Sequence, residues 1–440
     1  MKIAIINVPA SKKHAVNKDL AGGLGQSWAL SGSFVLNLIS RLVKSSIRIP
    51  VLSLAYLQAI LKNKGFQVNY YESIPRKHFD IFLIYGSMIE FKQENRFSRL
   101  LKFQHPNSLV GFIGPFPSRF PELFESDFVI QGEAESFFLY QFNETSNLNK
   151  TVKVFKQVEM DDLPTPDFTG FPLRSYKYSP ALNKTPVLTL QASRGCPYDC
   201  GYYCAYGSYQ GRSYRKRSAK KLFHDILDLK KKYKIKSLQF RDPTFGLDKK
   251  QVIELCFLLI SNKISLEWGM ETRLDLLDMK IVKLMKRAGL KNINIGIETY
   301  SPDIAIKNKR KILGLEHQEK ILKLCSQLGI KVSGFYIFGY EGDTEKSIKK
   351  TIEFARKIKT NAARFAIFTP FPGTGFYNQL EKENRITVKD FSEYNSFKLV
   401  FKHQNLDSKS LSDLITQAYS KYYFRIPAIL GFLKWKIKEF

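Results

Sequence analysis

Three of the five cysteines stand within nine positions, in RGCPYDCGYYCAYG at 194–207, at the spacing C-x-x-x-C-x-x-x-C. The thiolate is the form of cysteine that binds metal or attacks another sulfur, so this grouping points to metal or redox chemistry. Cysteines this few and this unevenly placed exclude the disulfide scaffold of a small secreted protein. Structural zinc normally takes four protein ligands, and no histidine lies near the three thiols to complete a tetrahedron. Three thiolates on a flexible loop suit an iron–sulfur cluster better, with one iron left open to a substrate or cofactor. Cys256 and Cys325 lie alone in apolar helical stretches and read as core residues.

The elements that must position this loop are legible as alternating strands and helices. Up to about residue 145 the pattern is that of a doubly wound parallel sheet. KIAIINVP at the start is strand-like, Leu54, Leu57 and Leu61 recur at helical spacing, and Gly65 ends that helix. The runs at 80–86, 108–114 and 127–132 each end in glycine, where a parallel sheet places its ligand-facing turns. Residues 146–185 lack periodicity and carry DDLPTPDF, which marks a linker. Strand-like runs then begin near 187, 236, 266, 292, 332 and 363, with helices predicted at 218–232, 248–261, 277–288 and 343–357. Six successive β/α units make a parallel barrel, partial or complete, whose chemistry belongs at the carboxyl ends of its strands. The cysteines follow the first of these strands.

With 440 residues, 35 Phe and 22 Tyr, the chain has core material for two or three domains. Its 69 Lys and Arg against 40 Asp and Glu give a net charge of +29. The basic residues are spread along the chain, which favours solvated lysine-rich faces over a nucleic-acid or lipid partner. The amino terminus lacks the features of a signal peptide, and Leu20–Ser40, although uncharged, is diluted by glycines and polar residues and reads as a long loop with a short helix. The tail from about 383 is helical, basic and aromatic; packing as a cap is its expected use, and lying on a membrane surface is the alternative.

The cysteine loop, the six units and several downstream segments resemble the radical S-adenosylmethionine (SAM) enzymes, in the branch with an amino-terminal cobalamin-binding domain. That family's loop is C-x-x-x-C-x-aromatic-C, and this chain has one residue more before its third cysteine. Aligned from the front, Tyr203 falls where the third cysteine belongs. Aligned from the back, Tyr203 takes the place of the aromatic residue that touches adenine, Cys196, Cys200 and Cys204 are the ligands of a [4Fe–4S] cluster, and Gly201 or Tyr202 is the extra residue. The second alignment is preferred because two cysteines would hold a cluster poorly.

The resemblance implies further cofactor contacts: Asp242 near the methionine end of SAM, Glu271 and Arg273 toward its ribose and carboxylate, and Gly296 and Glu298 on the fifth strand. Glu298 could equally be a structural acceptor. Thr369 and Pro372 would shape the substrate mouth, and Arg212, Arg215 and Arg217 lie either near the cofactor or on a solvated run. In the amino-terminal domain Ser87, Gly114, Gly132 and Glu133 match cobalamin-domain landmarks, with Pro115 where a second glycine is usual, and GGLGQSW resembles a loop near the corrin. None of the six histidines stands in the D-x-H-x-x-G motif, so cobalamin is expected without a histidine lower ligand.

The fold expected is therefore α/β: a Rossmann-like cobalamin-binding domain over 1–145, a linker over 146–185, a (β/α)6 radical SAM barrel over 186–382 and a helical region over 383–440. The resemblance implies methylation of an unactivated carbon through a 5′-deoxyadenosyl radical. The substrate would be a small molecule, lipid or natural product, and the electron donor a flavodoxin or ferredoxin. Ring formation or rearrangement without methyl transfer, and a silent cobalamin- or RNA-binding protein, are the alternatives. The expected location is the cytoplasm, with membrane association through the tail as a variant.

Overall fold

KIAII is apolar after its first residue and forms β1 (Lys2–Ile6), whose remaining positions are all buried, as in strands covered on both faces. The computed structural model describes residues 1–10, 16–18, 20–27, 46–145, 148–311, 313–358 and 360–424. The loop expected after Ser27 and the tail beyond Phe424, with its suggested membrane contact, lie outside them.

Five further strands join β1: β2 (Gln67–Tyr71), β3 (Ile81–Tyr85), β4 (Leu109–Ile113), β5 (Phe128–Gln131) and β6 (Lys150–Lys153). All are parallel, in the order β2-β1-β3-β4-β5-β6. The order reverses between β1 and β3, and at such a switch point a crevice opens beyond the carboxyl ends. The sixth strand comes from the segment expected to be linker, because Lys150–Lys153 finds the open edge of β5.

The second sheet follows chain order: β7 (Val187–Leu190), β8 (Ser237–Phe240), β9 (Glu267–Thr272), β10 (Leu290–Glu298), β11 (Lys331–Phe338) and β12 (Ala362–Ile367), all parallel. Its two end strands do not pair among the described residues, so the barrel is partial. The crossover helices begin where the side chains dictate. Ser218, Asp248, Asp278 and Thr344 each accept backbone N–H groups at the starts of 219–233, 249–261, 279–287 and 345–357. A helix at Leu315–Gln327, which the sequence reading passed over, completes the unit between β10 and β11 and buries Cys325.

The open edge at β12 is covered by the helix Ser408–Tyr423. Tyr419 Oη accepts from the Phe365 N–H (3.2 Å) and donates to its carbonyl (3.1 Å), and Tyr423 does the same for Ala363 at 3.1 and 2.8 Å. Tyrosine hydroxyls thus satisfy backbone groups that an edge strand would otherwise present for pairing. This part of the tail is a cap. No helix among the described residues is long and apolar enough to cross a membrane.

The segment between the sheets is held by charge. Arg217 is fully buried; its guanidinium pairs with Asp225 (2.6 Å) and donates to the carbonyls of Met160 and of Leu163 (2.8 Å). Asp167 joins Lys62 on one side to Lys232 and Tyr233 on the other. Removing one partner of a buried pair strands the other charge. Asp225→Ala is therefore expected to lower unfolding free energy by about 3–5 kcal/mol, read as a fall in the urea midpoint, and an unchanged midpoint would refute this account of the linker.

Candidate functional site

The cysteine loop is pinched at its base by an antiparallel ribbon of two residues on each side, Ser193–Arg194 against Arg215–Lys216. Asp242, just past β8, is fully buried and accepts from the Ala192 N–H (3.0 Å) and the Ser193 hydroxyl (2.6 Å). Gly195 has φ of 82°, and a methyl group there would lie 2.0 Å from the Ser213 carbonyl oxygen, so only glycine lets the two legs approach.

Within the loop the Cys196 N–H donates to the Gly211 carbonyl (3.1 Å). The Cys200 carbonyl accepts from both Tyr203 (3.1 Å) and Cys204 (2.9 Å). The second bond spans one helical turn, and Cys204 is the cap of the short helix Ala205–Tyr209. Burial pushes the Cys200 and Cys204 thiols up, and Arg310 and Arg273 oppose it at Cys200. Coordination to a cation offsets such a cost, because the bound thiol is deprotonated. Among the described residues no three His, Cys, Asp or Glu side chains are grouped to hold a metal ion. A four-iron cluster is ligated at its corners, one thiolate per iron, and asks for wider spacing. The three-thiol donor set and its cationic neighbours fit such a cluster.

The barrel mouth brings a second group to the cysteines. The Arg310 guanidinium donates to the Gly296 carbonyl (2.5 Å) and lies 3.4 Å from Glu298, which follows a bulge in β10 at φ of 71°. Burial pushes the Glu298 carboxyl up against the pull of Arg310 and Arg273. A methyl group on Gly296 would strike Glu298 Oε1 at 2.4 Å, so the bare backbone is what admits this pair. Arg273 is held by Asp275 at 2.9 and 3.0 Å and lies over the Tyr198 ring at 4.0 Å. Tyr203 is buried edge-on to Tyr340 and Phe368, with its hydroxyl accepting from Tyr340 (3.1 Å). Glu271 pairs with Arg241 at 2.5 Å. Pro372 accepts from the Tyr209 hydroxyl (2.7 Å), while Thr369 turns back to its own strand at Ile367 (3.1 Å).

The amino-terminal landmarks separate into two kinds. Ser87 is buried and uses its N–H (2.7 Å) and hydroxyl (2.8 Å) on Glu94, which also pairs with Lys18 (2.7 Å). Gly114 and Gly132, at φ of 117° and 123°, stand on turns with no side chain rising from them, and Gly132 is exposed. A methyl group at Gly114 would meet the Gly86 carbonyl oxygen at 3.0 Å, and one at Gly132 would meet Val154 Cβ at 2.7 Å. Glu133 is engaged within the protein: Arg215 binds both oxygens (2.6 and 2.9 Å) and the Val158 N–H donates at 2.8 Å. Burial would raise its carboxyl, but Arg194 and Arg215 outweigh that and hold it below the usual carboxylate range. In GGLG, Gly23 packs on Pro115 and Tyr85 while Gly22 packs on Ala205, so this loop joins the turn after β4 to the helix after Cys204.

Arg310, Tyr340 and the Lys18–Glu94 pair escaped the sequence reading. Arg310 sits in KNKRK with no periodic or motif signal, and only the bulge at Glu298 reveals its partner. Arg212 pairs with Asp199 at the surface (3.0 Å), whereas Arg215 and Arg217 are structural.

Residues 190–355 match the profile of the Radical SAM superfamily. The chain is 28% identical to an uncharacterized methyltransferase of Pyrococcus horikoshii over 62% of its length and 58% of that protein's. It is 28% identical to the anaerobic magnesium-protoporphyrin IX monomethyl ester cyclase of Rubrivivax gelatinosus over 64% of its length and 50% of that protein's. It thus spans little more than half the length of these two curated relatives. Among solved structures, the radical SAM methyltransferase TsrM of Kitasatospora setae, with tryptophan and a SAM analogue, superposes with a TM-score of 0.70 at 12% identity, covering 96% of this chain and 89% of that one.

Asp242 has a measurable signature. Burial pushes its carboxyl up to about 7, against the bonds from Ser193 and Ala192. An unfolded aspartate titrates near about 4, so the folded chain holds this proton more tightly. The stability it contributes is full below about pH 4 and is lost as pH rises through about 7. Asp242→Asn should flatten that decline in the urea midpoint between about pH 4 and about pH 7; an equal decline in both proteins would exclude Asp242 as its source.

Proposed function

We propose that this chain, whose residues 190–355 are a radical SAM domain, is a cobalamin-dependent radical SAM enzyme that methylates an unactivated carbon. The observation that carries the reading is a loop of three cysteines after the first strand of a partial parallel barrel, whose base pairs through Arg194 and Arg215 with Glu135 and Glu133 just past β5 of a second parallel sheet. The Rossmann-like amino-terminal sheet is the proposed cobalamin domain, with the corrin over the bare turns at Gly114 and Gly132.

Cys196, Cys200 and Cys204 would hold the cluster. Gly296, Glu298, Arg310 and Arg273 would line the place of SAM, and Tyr203 its adenine end. When bound, the cluster supplies an electron that cleaves SAM to a radical able to take hydrogen from carbon, and cobalamin supplies the methyl group. The residues contribute position and exclusion of water. Tyr203, Tyr340 and Phe368 seal the back of the cysteine loop with aromatic surface. Burial disfavours the thiolate form at Cys200, and Arg310 and Arg273 oppose that cost. The substrate class proposed is a small molecule, lipid or natural product, and the reductant a flavodoxin or ferredoxin. The cyclase relative supports a second reading, ring formation on the same barrel.

Anaerobically reconstituted protein should form 5′-deoxyadenosine from SAM, and Cys204→Ala should form none. Both 5′-deoxyadenosine and S-adenosylhomocysteine are expected for methylation; 5′-deoxyadenosine alone would favour ring formation. Cluster-loaded wild type that cleaves no SAM would refute the enzymatic reading.

A further inference from the structure

Arg194 and Arg215 are register partners in the ribbon that closes the cysteine loop. Like charges directly opposite in a β ribbon repel, and both side chains are largely shielded from water, at 8% and 11% exposure. The counter-charges come from the other sheet. Glu135 pairs with Arg194 at 2.7 Å, and Glu133 pairs with Arg215 at 2.6 Å and lies 3.7 Å from Arg194. Both glutamates follow β5 directly, at 5% and 14% exposure. Gln191 holds the Arg194 Nε–H (2.9 Å), and Ser53 donates to the same Glu135 oxygen (2.9 Å), so the geometry is fixed from both sides. Cys196 is two residues from Arg194.

We propose that Glu133 and Glu135 are positioning residues for the cysteine loop: the amino-terminal sheet holds the two legs of the loop together through Arg194 and Arg215. Without these carboxylates the two guanidiniums face each other buried and uncompensated, and the ribbon opens. The loop's shape therefore depends on a domain that contributes no cluster ligand. The inference rests on the reading of this loop as a cluster site, but the clamp itself can be measured without a cluster.

The test compares full-length wild type, Glu135→Gln and the shorter but still charged Glu135→Asp. In iron-free protein, hydrogen exchange through 195–214 should rise several-fold in Glu135→Gln and less in Glu135→Asp, with the helix at 249–261 unchanged. After anaerobic reconstitution with iron and sulfide, iron per chain should fall in the same order, with an altered electron paramagnetic resonance spectrum of the reduced cluster. Should Glu135→Gln fail to fold, the Glu135→Asp comparison with wild type decides alone. Unchanged exchange across 195–214 in folded variants overturns the proposal. Wild type that takes up no cluster while its loop exchange still depends on Glu135 overturns the cluster reading and upholds the clamp.

Discussion

Two arginines largely shielded from water and facing each other across a short ribbon are the constraint around which the molecule is arranged. A guanidinium cannot lose its proton, so the charge at Arg194 and Arg215 must be met by carboxylates wherever the fold buries it. Those carboxylates belong to the other sheet, which ties the two sheets at the base of the cysteine loop. The same logic recurs at Lys18 with Glu94, a buried pair that joins segments remote in sequence, and at Arg217, which pairs with nearby Asp225 and reaches the distant carbonyls of Met160 and Leu163. Pairs of this kind add modest net stability but penalise any arrangement that separates them. Arg194 and Arg215 with their glutamates specify how the sheets meet more than how firmly each folds.

Parallel sheets place their variable turns at one end, and here both sheets bring those ends to the same region. Glycines do much of the local work there. Gly195 lets the loop legs touch, and Gly296 leaves the wall of β10 open for Glu298 and Arg310. A strand-end bulge and positive φ at Glu298 are costs that persist only because the surrounding charges hold the side chain in place. The tyrosines of the last described helix solve a different problem, covering the edge that a six-stranded barrel leaves open.

The architecture was plain in the chain because strand and helix periods, glycine stops and Ser, Thr or Asp caps are local signals. All six barrel strands begin within two residues of the positions read from apolar runs. The cysteine grouping was equally plain, since three thiols in nine positions are visible from spacing alone. β6 was missed because KTVK is too short and polar to signal a strand until an open edge receives it. The helix at Leu315–Gln327 was passed over between two more obvious elements.

Individual roles were less legible, because a carboxylate's function depends on what faces it. Nothing in the string distinguishes Glu133, taken up by Arg215, from Glu298, which lies beside Arg310. Asp242 anchors the residues that lead into the loop, a contact between positions fifty apart. Composition, periodicity and cysteine spacing act over a few residues, so the chain alone determined most of its elements, its two-sheet plan and the grouping of three cysteines after the first barrel strand. Charge pairing and close approach act through space, so only the folded molecule decided which polar side chains serve the site and which hold it together.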